Sequence, residues 1–236
     1  MREKDKLRTD AESHFDAIAD SYDYWKDKNW YYYRNLKALL RSCIPEDSNV
    51  LEVGCGTGDL LESLSPRNGL GIDISEEMVD RAKVKHANDP HLVFARVDLL
   101  DKDHPFSEFD AADFDYIFMS DVLEHVEDNQ MFLDRISSRM HDRTELIVTL
   151  ANPLWEPILM LAEKLHMKMP EGPHRRLSIR ETELVYRMAG LTVKDRGYRL
   201  LMPKRMPFSD YINKHFHKSP LLSRLGFVVF WVLKRA

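Results

Sequence analysis

Residues 51–64, LEVGCGTGDLLESL, run from an apolar stretch through three glycines into a helical pattern, with Glu52 just before the glycines and Asp59 just after them. A glycine turn between a strand and a helix lets a ligand lie against the backbone, and such turns usually cradle phosphates. Asp73 stands nineteen residues beyond Gly54, close to the spacing of an acid that holds a pair of ribose hydroxyls. A dinucleotide dehydrogenase and a methyltransferase both fit this much. The turn separates them. A dinucleotide fingerprint reads G-x-G-x-x-G/A, whereas here Gly54, Gly56 and Gly58 are followed by Asp59, a carboxylate that would repel a pyrophosphate. S-adenosylmethionine has no phosphate and carries a sulfonium and an ammonium, so Glu52 and Asp59 favour it, directly or through water.

The elements that must hold this turn are legible as alternating strand-like and helical runs, the pattern of a mainly parallel sheet covered on both faces. Strands are expected at NVLEVG (49–54), GLGIDI (69–74), HLVFARVD (91–98), FDYIFMS (114–120) and ELIVTL (145–150). Ser75 is a natural N-cap, followed by Glu76 and Glu77 at the positive end of the helix dipole. Residues 128–140 have helical apolar spacing. Ahead of the first strand, Thr9 and Glu12 have capping-box spacing for one helix, and WYYYRNLKALLRSCI reads as a second. After the fifth strand the rhythm changes. Pro157 suits a first helical position, with Trp155, Ile158, Leu159, Ala162 and Leu165 at helical spacing, and MPEGPH breaks the run. Ser178 and Glu181 form a second capping-box pattern for a helix that Gly190 ends. LTVKDRGYRLLMP and GFVVFWVLKR close the chain as an antiparallel pair. The expected fold is a Rossmann-like, seven-stranded, mainly parallel sheet with an antiparallel edge hairpin. One domain is expected, comprising an N-terminal helical cap (1–45), a cofactor-binding core (46–150), a lid-like insert (151–178) and a C-terminal helix with closing strands (179–236).

Five blocks in order, FDAIADSYDYW, VLEVGCGTGDLL, GIDISEEMVDRAK, FARVDLL and FDYIFMSDVLEHVED, make the chain resemble class I S-adenosylmethionine-dependent methyltransferases. The branch is the one that includes the ubiquinone- and menaquinone-biosynthesis enzymes. The resemblance implies that Glu52, Gly54, Gly56 and Gly58 line the methionine side of the cofactor. It places Asp73 on the ribose, Ile74 and Met78 against the adenine, Asp98 on the adenine amino group and Leu99 on the ring. Ser120 would lie beside the cofactor, and Tyr22 would close over it.

Methyl transfer is a direct displacement at an activated carbon, so alignment matters more than a protein nucleophile. A hydroxyl acceptor needs help losing its proton, and His125, just past the fourth strand, is the candidate base. In some similar quinone-precursor enzymes this stretch binds a divalent metal, for which Asp121, Glu124 and His125 are the matching positions; the histidine can also simply hydrogen-bond a neighbouring loop. The acceptor is left to the variable parts. Trp25 belongs to the aromatic run YDYWKDKNWYYY, read as a pocket wall, and Trp155 opens the insert. His174, Arg175 and Arg176 would make a basic entrance suited to an aromatic or lipid-like acceptor, and to contact with an anionic membrane surface.

Composition narrows the alternatives. The 236 residues are 44% hydrophobic and 31% charged, as in a globular protein. Residues 97–134 hold twelve Asp/Glu against one Lys, while residues 164–218 hold thirteen Lys/Arg against five Asp/Glu, an asymmetry that can steer an anionic partner. A pI near 6.1 and few aromatics among the arginines argue against nucleic acid. SDVLEH stands where many amino-group methylases carry Asn/Asp-Pro-Pro-aromatic. Two cysteines, Cys43 and Cys55, make no disulfide framework and fit a cytoplasmic setting. The charged N-terminus does not read as a signal peptide, and LGFVVFWVL is about half a bilayer span, so it reads as a buried strand. Two other readings stand beside the enzyme: a non-catalytic interaction module on the same fold, and a nicotinamide-dependent dehydrogenase.

Overall fold

A computed structural model provides the coordinates and describes residues 6–101, 114–170, 172–175, 177–216, 219 and 222–236. Its strands are β1 (Asn49–Val53), β2 (Asn68–Asp73), β3 (Leu92–Arg96), β4 (Tyr116–Ser120), β5 (Glu145–Ala151), β6 (Leu191–Arg199) and β7 (Val228–Arg235). They form one sheet in the order β3-β2-β1-β4-β5-β7-β6, parallel from β3 to β5. β7 inserts antiparallel between β5 and β6. The strand order reverses direction between β1 and β4, the switch point at which α/β sheets open a crevice at their carboxyl ends.

Strands buried on both faces need apolar side chains on both, and β4, β5 and β7 supply them. Ile117, Met119, Leu146, Val148, Val229, Trp231 and Leu233 point to one core, where Phe132, Leu133, Ile136 and Tyr186 pack from α5 (Asn129–Ser137) and α7 (Ile179–Met188). Alternate residues Phe118, Ile147, Phe230 and Val232 face the other core. That face is covered by α2 (Trp30–Cys43), α3 (Asp59–Glu62) and α4 (Glu76–Lys85) through Leu36, Leu40, Leu61, Val79 and Ala82. LGFVVFWVL is thus the penultimate strand of the sheet. Ser75 caps α4 by accepting from the Met78 N–H at 3.1 Å, and the Ser178–Glu181 capping box of α7 is formed in both directions.

Two elements differ from the sequence expectation. Helix α1 (Lys6–Lys28) already includes Thr9 and Glu12, so they open nothing; Glu12 reaches Arg96 instead, because a long helix lets its side chains bind the neighbouring β3 edge. A short helix at Ser209–His215, α8, was not anticipated. It is held to α2 by Arg34 and Tyr31, both on Asp210.

The insert begins with a tight 3₁₀ turn, Pro153–Trp155, that runs into α6 (Glu156–Lys164). Asn152, 1% exposed, fastens it: its Nδ2 donates to Gly226 O at 2.7 Å and Arg224 O at 3.0 Å, just ahead of β7. No residue of α6 is fully buried. Two replacements should therefore differ in urea unfolding. Ser178→Ala should cost about 1 kcal/mol, the worth of a cap. Asn152→Ala should cost about 1–3 kcal/mol, because it leaves carbonyls without donors in a buried joint.

Candidate functional site

The carboxyl ends of β1, β2 and β4 open into a cavity of about 900 Å³. Gly54, Gly56 and Gly58, the turn after β1, take φ of +75°, +50° and +81°, a left-handed backbone that side chains resist. Its anchor is Asp73 at the end of β2. The carboxylate accepts the Gly56 N–H at 2.8 Å and the Ser75 N–H at 3.0 Å, tying the turn to the cap of α4. Burial pushes the Asp73 carboxyl upward, and these N–H groups pull it back.

Most of the expected cofactor residues line this one cavity: Tyr22, Glu52, Gly54, Gly56, Asp73, Ile74, Met78, Asp98, Leu99 and Ser120. The Tyr22 ring packs directly over Gly56, where a Cβ would meet Tyr22 Cε1 at 3.1 Å. Glu52, 1% exposed, accepts the Leu61 N–H at 3.1 Å; burial pushes its carboxyl well up, against the opposing pull of Lys26. Asp98 is joined to Arg8 at 3.2 Å, and Ser120 Oγ accepts from Thr149 at 3.0 Å.

Gly58 does not line the cavity. It caps α3 behind the turn, where a Cβ would strike Phe94 Cζ at 2.6 Å, so its smallness serves packing on β3. Asp59 is also turned away. It pairs with Lys26 at 2.5 Å and Lys85 at 2.8 Å, and although burial opposes ionisation, the two lysines hold its carboxyl well below the usual range. The acid that excludes a pyrophosphate by charge is neutralised by α1 and α4, and Glu52 is the acid that faces the cavity.

Beyond the glycine turn the cavity continues past β4. His125 Nδ1 lies 2.9 Å from the Pro173 carbonyl, which puts the proton on Nδ1 and leaves Nε2 as an acceptor. Burial lowers this imidazole to about 4, so it is neutral at physiological pH. Asp121, at φ +55°, accepts from the Tyr32 hydroxyl at 2.7 Å. Asp121 Oδ1 and Glu124 Oε2 are buried without hydrogen-bond donors, and burial raises both carboxyls, Glu124 the further because Asp121 is beside it. Among the described residues no three His, Cys, Asp or Glu side chains are grouped as a metal shell, so Asp121, Glu124 and His125 are not gathered as one.

Trp25, Trp155, His174 and Arg175 also line the cavity, with apolar Leu159, Met160, Met202 and Met206. The Arg175 backbone N–H donates to the Glu124 carbonyl at 2.7 Å and its Nη1 to the Glu127 carbonyl at 2.9 Å, which joins the insert to the loop after β4, while His174 sits 3.6 Å from Glu156 within the insert; Arg176 lies outside the described residues. Sequence reasoning missed Lys26, which is buried, donates to Thr57 at 3.1 Å and lies over the Tyr22 ring. It sits within the flagged aromatic run. Lys168 and the 202–206 segment also reach the cavity, and no local pattern marks them.

Comparison with known proteins agrees with this geometry. Residues 24–194 match the model of a methyltransferase domain family. A ubiquinone biosynthesis O-methyltransferase of Rhodopseudomonas palustris is 30% identical over 148 residues, 60% of this chain and 55% of that protein, so the chain spans little more than half the length of the curated relatives it matches. A Thermotoga maritima structure, described as an S-adenosylmethionine-dependent methyltransferase and possible histamine N-methyltransferase, superposes with a TM-score of 0.69 at 18% identity, over 96% of this chain and all of that one. Magnesium protoporphyrin IX methyltransferase from Synechocystis, solved with S-adenosylhomocysteine, superposes with a TM-score of 0.62 at 18% identity, over 98% and 100%. The glycine turn, the acid that anchors it and the sheet order thus have their explanation in descent: the chain belongs to the methyltransferase-domain family of class I, S-adenosylmethionine-dependent fold.

Proposed function

We propose that this protein transfers a methyl group from S-adenosylmethionine to a small-molecule acceptor, at a hydroxyl of phenolic type. The observation that carries the reading is a single cavity that joins the Asp73-anchored glycine turn to His125 and an apolar wall. The donor set fits the cofactor. Gly54, Gly56, Asp73 and Glu52 line the same cavity, its acids suit a cationic ligand, and the nearby Lys26 is already engaged by Asp59. Asp73 holds the ribose hydroxyls, and Asp98 with Ile74, Met78 and Leu99 takes the adenine. Gly54, Gly56 and Glu52 take the amino-acid end. Ser120 and Tyr22 border the reacting centre.

When bound, the cofactor supplies an already activated methyl carbon. The chain has then to align the acceptor, exclude water and receive a proton. His125 Nε2 is the receiving atom, held in one tautomer by the Pro173 carbonyl. A base near 4 is always free at neutral pH but weak, which favours a phenol of pKa about 10 over an alkyl alcohol. Trp25, Trp155 and the methionines make an apolar wall for the acceptor, with His174 and Arg175 beside it. The O-methyltransferase relatives support the choice of oxygen.

Peripheral contact with an anionic membrane surface belongs to this reading. Leu154, Ile158, Leu161 and Leu165 make an exposed apolar stripe on the insert, and Phe208 is 80% exposed at φ +66°. Both segments meet the junction of α1 and α2: Lys28 donates to His166 O at 2.8 Å, and Lys204 to Asn29 at 2.5 Å. Lys164, Lys204 and Arg205 are exposed around the patch, among Asp27 and Asp210. No helix among the described residues is long and apolar enough to cross a membrane.

Calorimetry with S-adenosylmethionine, S-adenosylhomocysteine and NADH tests the cofactor. The two sulfur ligands should bind and Asp73→Ala should weaken both by about 10–100-fold, the worth of a charged hydrogen bond; NADH binding alone would favour the dehydrogenase, and no binding the interaction module. For the base, His125→Gln should keep cofactor affinity and lower turnover by about 10²–10⁴-fold in an acceptor screen begun with phenols. The same variant carries a pH signature. His125 binds protons more readily when unfolded, so the native protein loses stability as pH falls from about 6.5 to about 4, and the variant should flatten that slope. Co-sedimentation with phosphatidylglycerol-containing vesicles, above that with phosphatidylcholine alone, should fall severalfold in Leu161→Ser/Phe208→Ser; equal retention by the variant would refute the membrane contact.

A further inference from the structure

Two lysines stand at the mouth of the cavity without a carboxylate partner among the described residues. Lys28, at the end of α1, donates to His166 O at 2.8 Å, and its ammonium lies over the Trp25 ring, 4.6 Å from the centre. Lys204 donates to Asn29 Oδ1 at 2.5 Å. Trp25, Asn29 and Lys204 line the cavity, and both lysines are exposed at its edge. Each ammonium carries three N–H donors and spends one, on a neutral oxygen. Burial first, and then the Lys28 charge, push the Lys204 ammonium down, so the two cations are close enough to repel each other.

Other cations of the cavity wall are already answered by acids. Lys26 is paired with Asp59 and Arg8 with Asp98, and Lys168 has Glu163 at 3.9 Å. Asp210, on the helix that follows Lys204, is held by Arg34 and Tyr31 instead. Helix α2 adds to the positive field at the same place. Its N-cap, Asn29, makes no side-chain cap bond, because Oδ1 is on Lys204 and Nδ2 donates to Trp25 O at 3.0 Å. The positive end of the α2 dipole is therefore left without a capping side chain beside the two lysines. Tethering to a carbonyl and an amide needs a donor and not a charge. An anion between the lysines would recover the cost of bringing like charges together.

We infer that Lys28 and Lys204 form an anion subsite for the acceptor, taking a carboxylate joined through an apolar body to the hydroxyl that reaches His125. The inference rests on the reading of His125 as the acceptor end of the cavity. Trp25, Met160 and Met202 supply the apolar wall that such a body needs. The carboxylate accepts from the N–H groups that the two tethers leave over, so neither tether has to break. Charge pairs at an exposed mouth are individually weak and are screened by salt. The subsite therefore selects among acceptors more than it tightens their binding.

The test is calorimetry on the full chain with S-adenosylhomocysteine present, using phenols that carry a para alkanoic acid chain of graded length. Each acid is compared with its methyl ester and with the amine of the same length. At the lengths that bind, the acid should exceed its ester by about threefold to tenfold in about 0.05 M sodium chloride, and the preference should shrink in about 0.5 M. Lys28→Gln/Lys204→Gln keeps a donor at each position and should bring the acid down to its ester. Lys28→Glu/Lys204→Glu should invert the order, amine over ester over acid, which the loss of a tether would not do. Equal binding of acid and ester, an undiminished preference in the glutamine variant, or binding of S-adenosylhomocysteine with no member of the series overturns the subsite and leaves the cofactor assignment intact. No preference for the acid in solution, with retention on phosphatidylglycerol vesicles lost in the glutamine variant, gives the lysines to lipid headgroups and overturns the subsite as well. Failure of the folded protein to bind S-adenosylhomocysteine overturns the functional reading and the subsite with it.

Discussion

The organisation of the site depends on one buried carboxylate. Asp73 ends β2 and accepts the backbone N–H groups of Gly56 and Ser75, so a single side chain fixes the strained turn after β1 and the start of α4 together. Two neighbouring parallel strands must be in register for this to happen, and the pairing of Val53 with Ile72 provides it. The cost of burying the charge is offset by oriented N–H donors. The same arrangement brings the turn close under neighbouring side chains, Val122 over Gly54 and the Tyr22 ring over Gly56, where a Cβ would meet them at 2.5 and 3.1 Å.

Around that anchor, charge is sorted by depth. Acids that serve the scaffold are neutralised: Asp59 by Lys26 and Lys85, and Asp23 by Lys85. Of the acids that line the cavity, Asp98 is paired with Arg8, whereas Glu52, Asp121 and Glu124 have no ion pair among the described residues and are pushed toward their neutral forms by burial. The cavity is therefore receptive to hydrogen-bond donors and cations without carrying the full cost of bare buried anions. His125 fits the same scheme as a neutral imidazole with one nitrogen fixed and one free.

The cavity beyond β4 is built differently from its part at the glycine turn. Its walls come from the ends of α1, the insert after β5 and the segment after β6, all of them loops or helices lying off the sheet edge. These parts carry exposed leucines and methionines and few buried residues, so they contribute little to the folded core. A stable sheet with a lightly anchored perimeter lets the cavity wall change without disturbing the fold.

Much of this was legible along the chain because its causes are local. Strand runs, the Ser75 cap, the Ser178–Glu181 box and the glycine turn each depend on a few consecutive residues, and all appear in the fold. The spacing of Gly54 and Asp73 likewise survives folding, since adjacent parallel strands bring their carboxyl ends together. What the sequence by itself determined was the sheet, the cofactor turn and the identity of its acids. Tertiary structure decided which acid faces the cavity. Glu52 and Asp59 are equivalent as letters, but lysines from α1 and α4, far away in sequence, neutralise only the second. It likewise turned Gly58 to packing, Arg175 to holding the insert, and Glu12 from a helix cap to a tether for α1. A side chain's type sets what it can bind; its neighbours across the fold determine whether that capacity is already used.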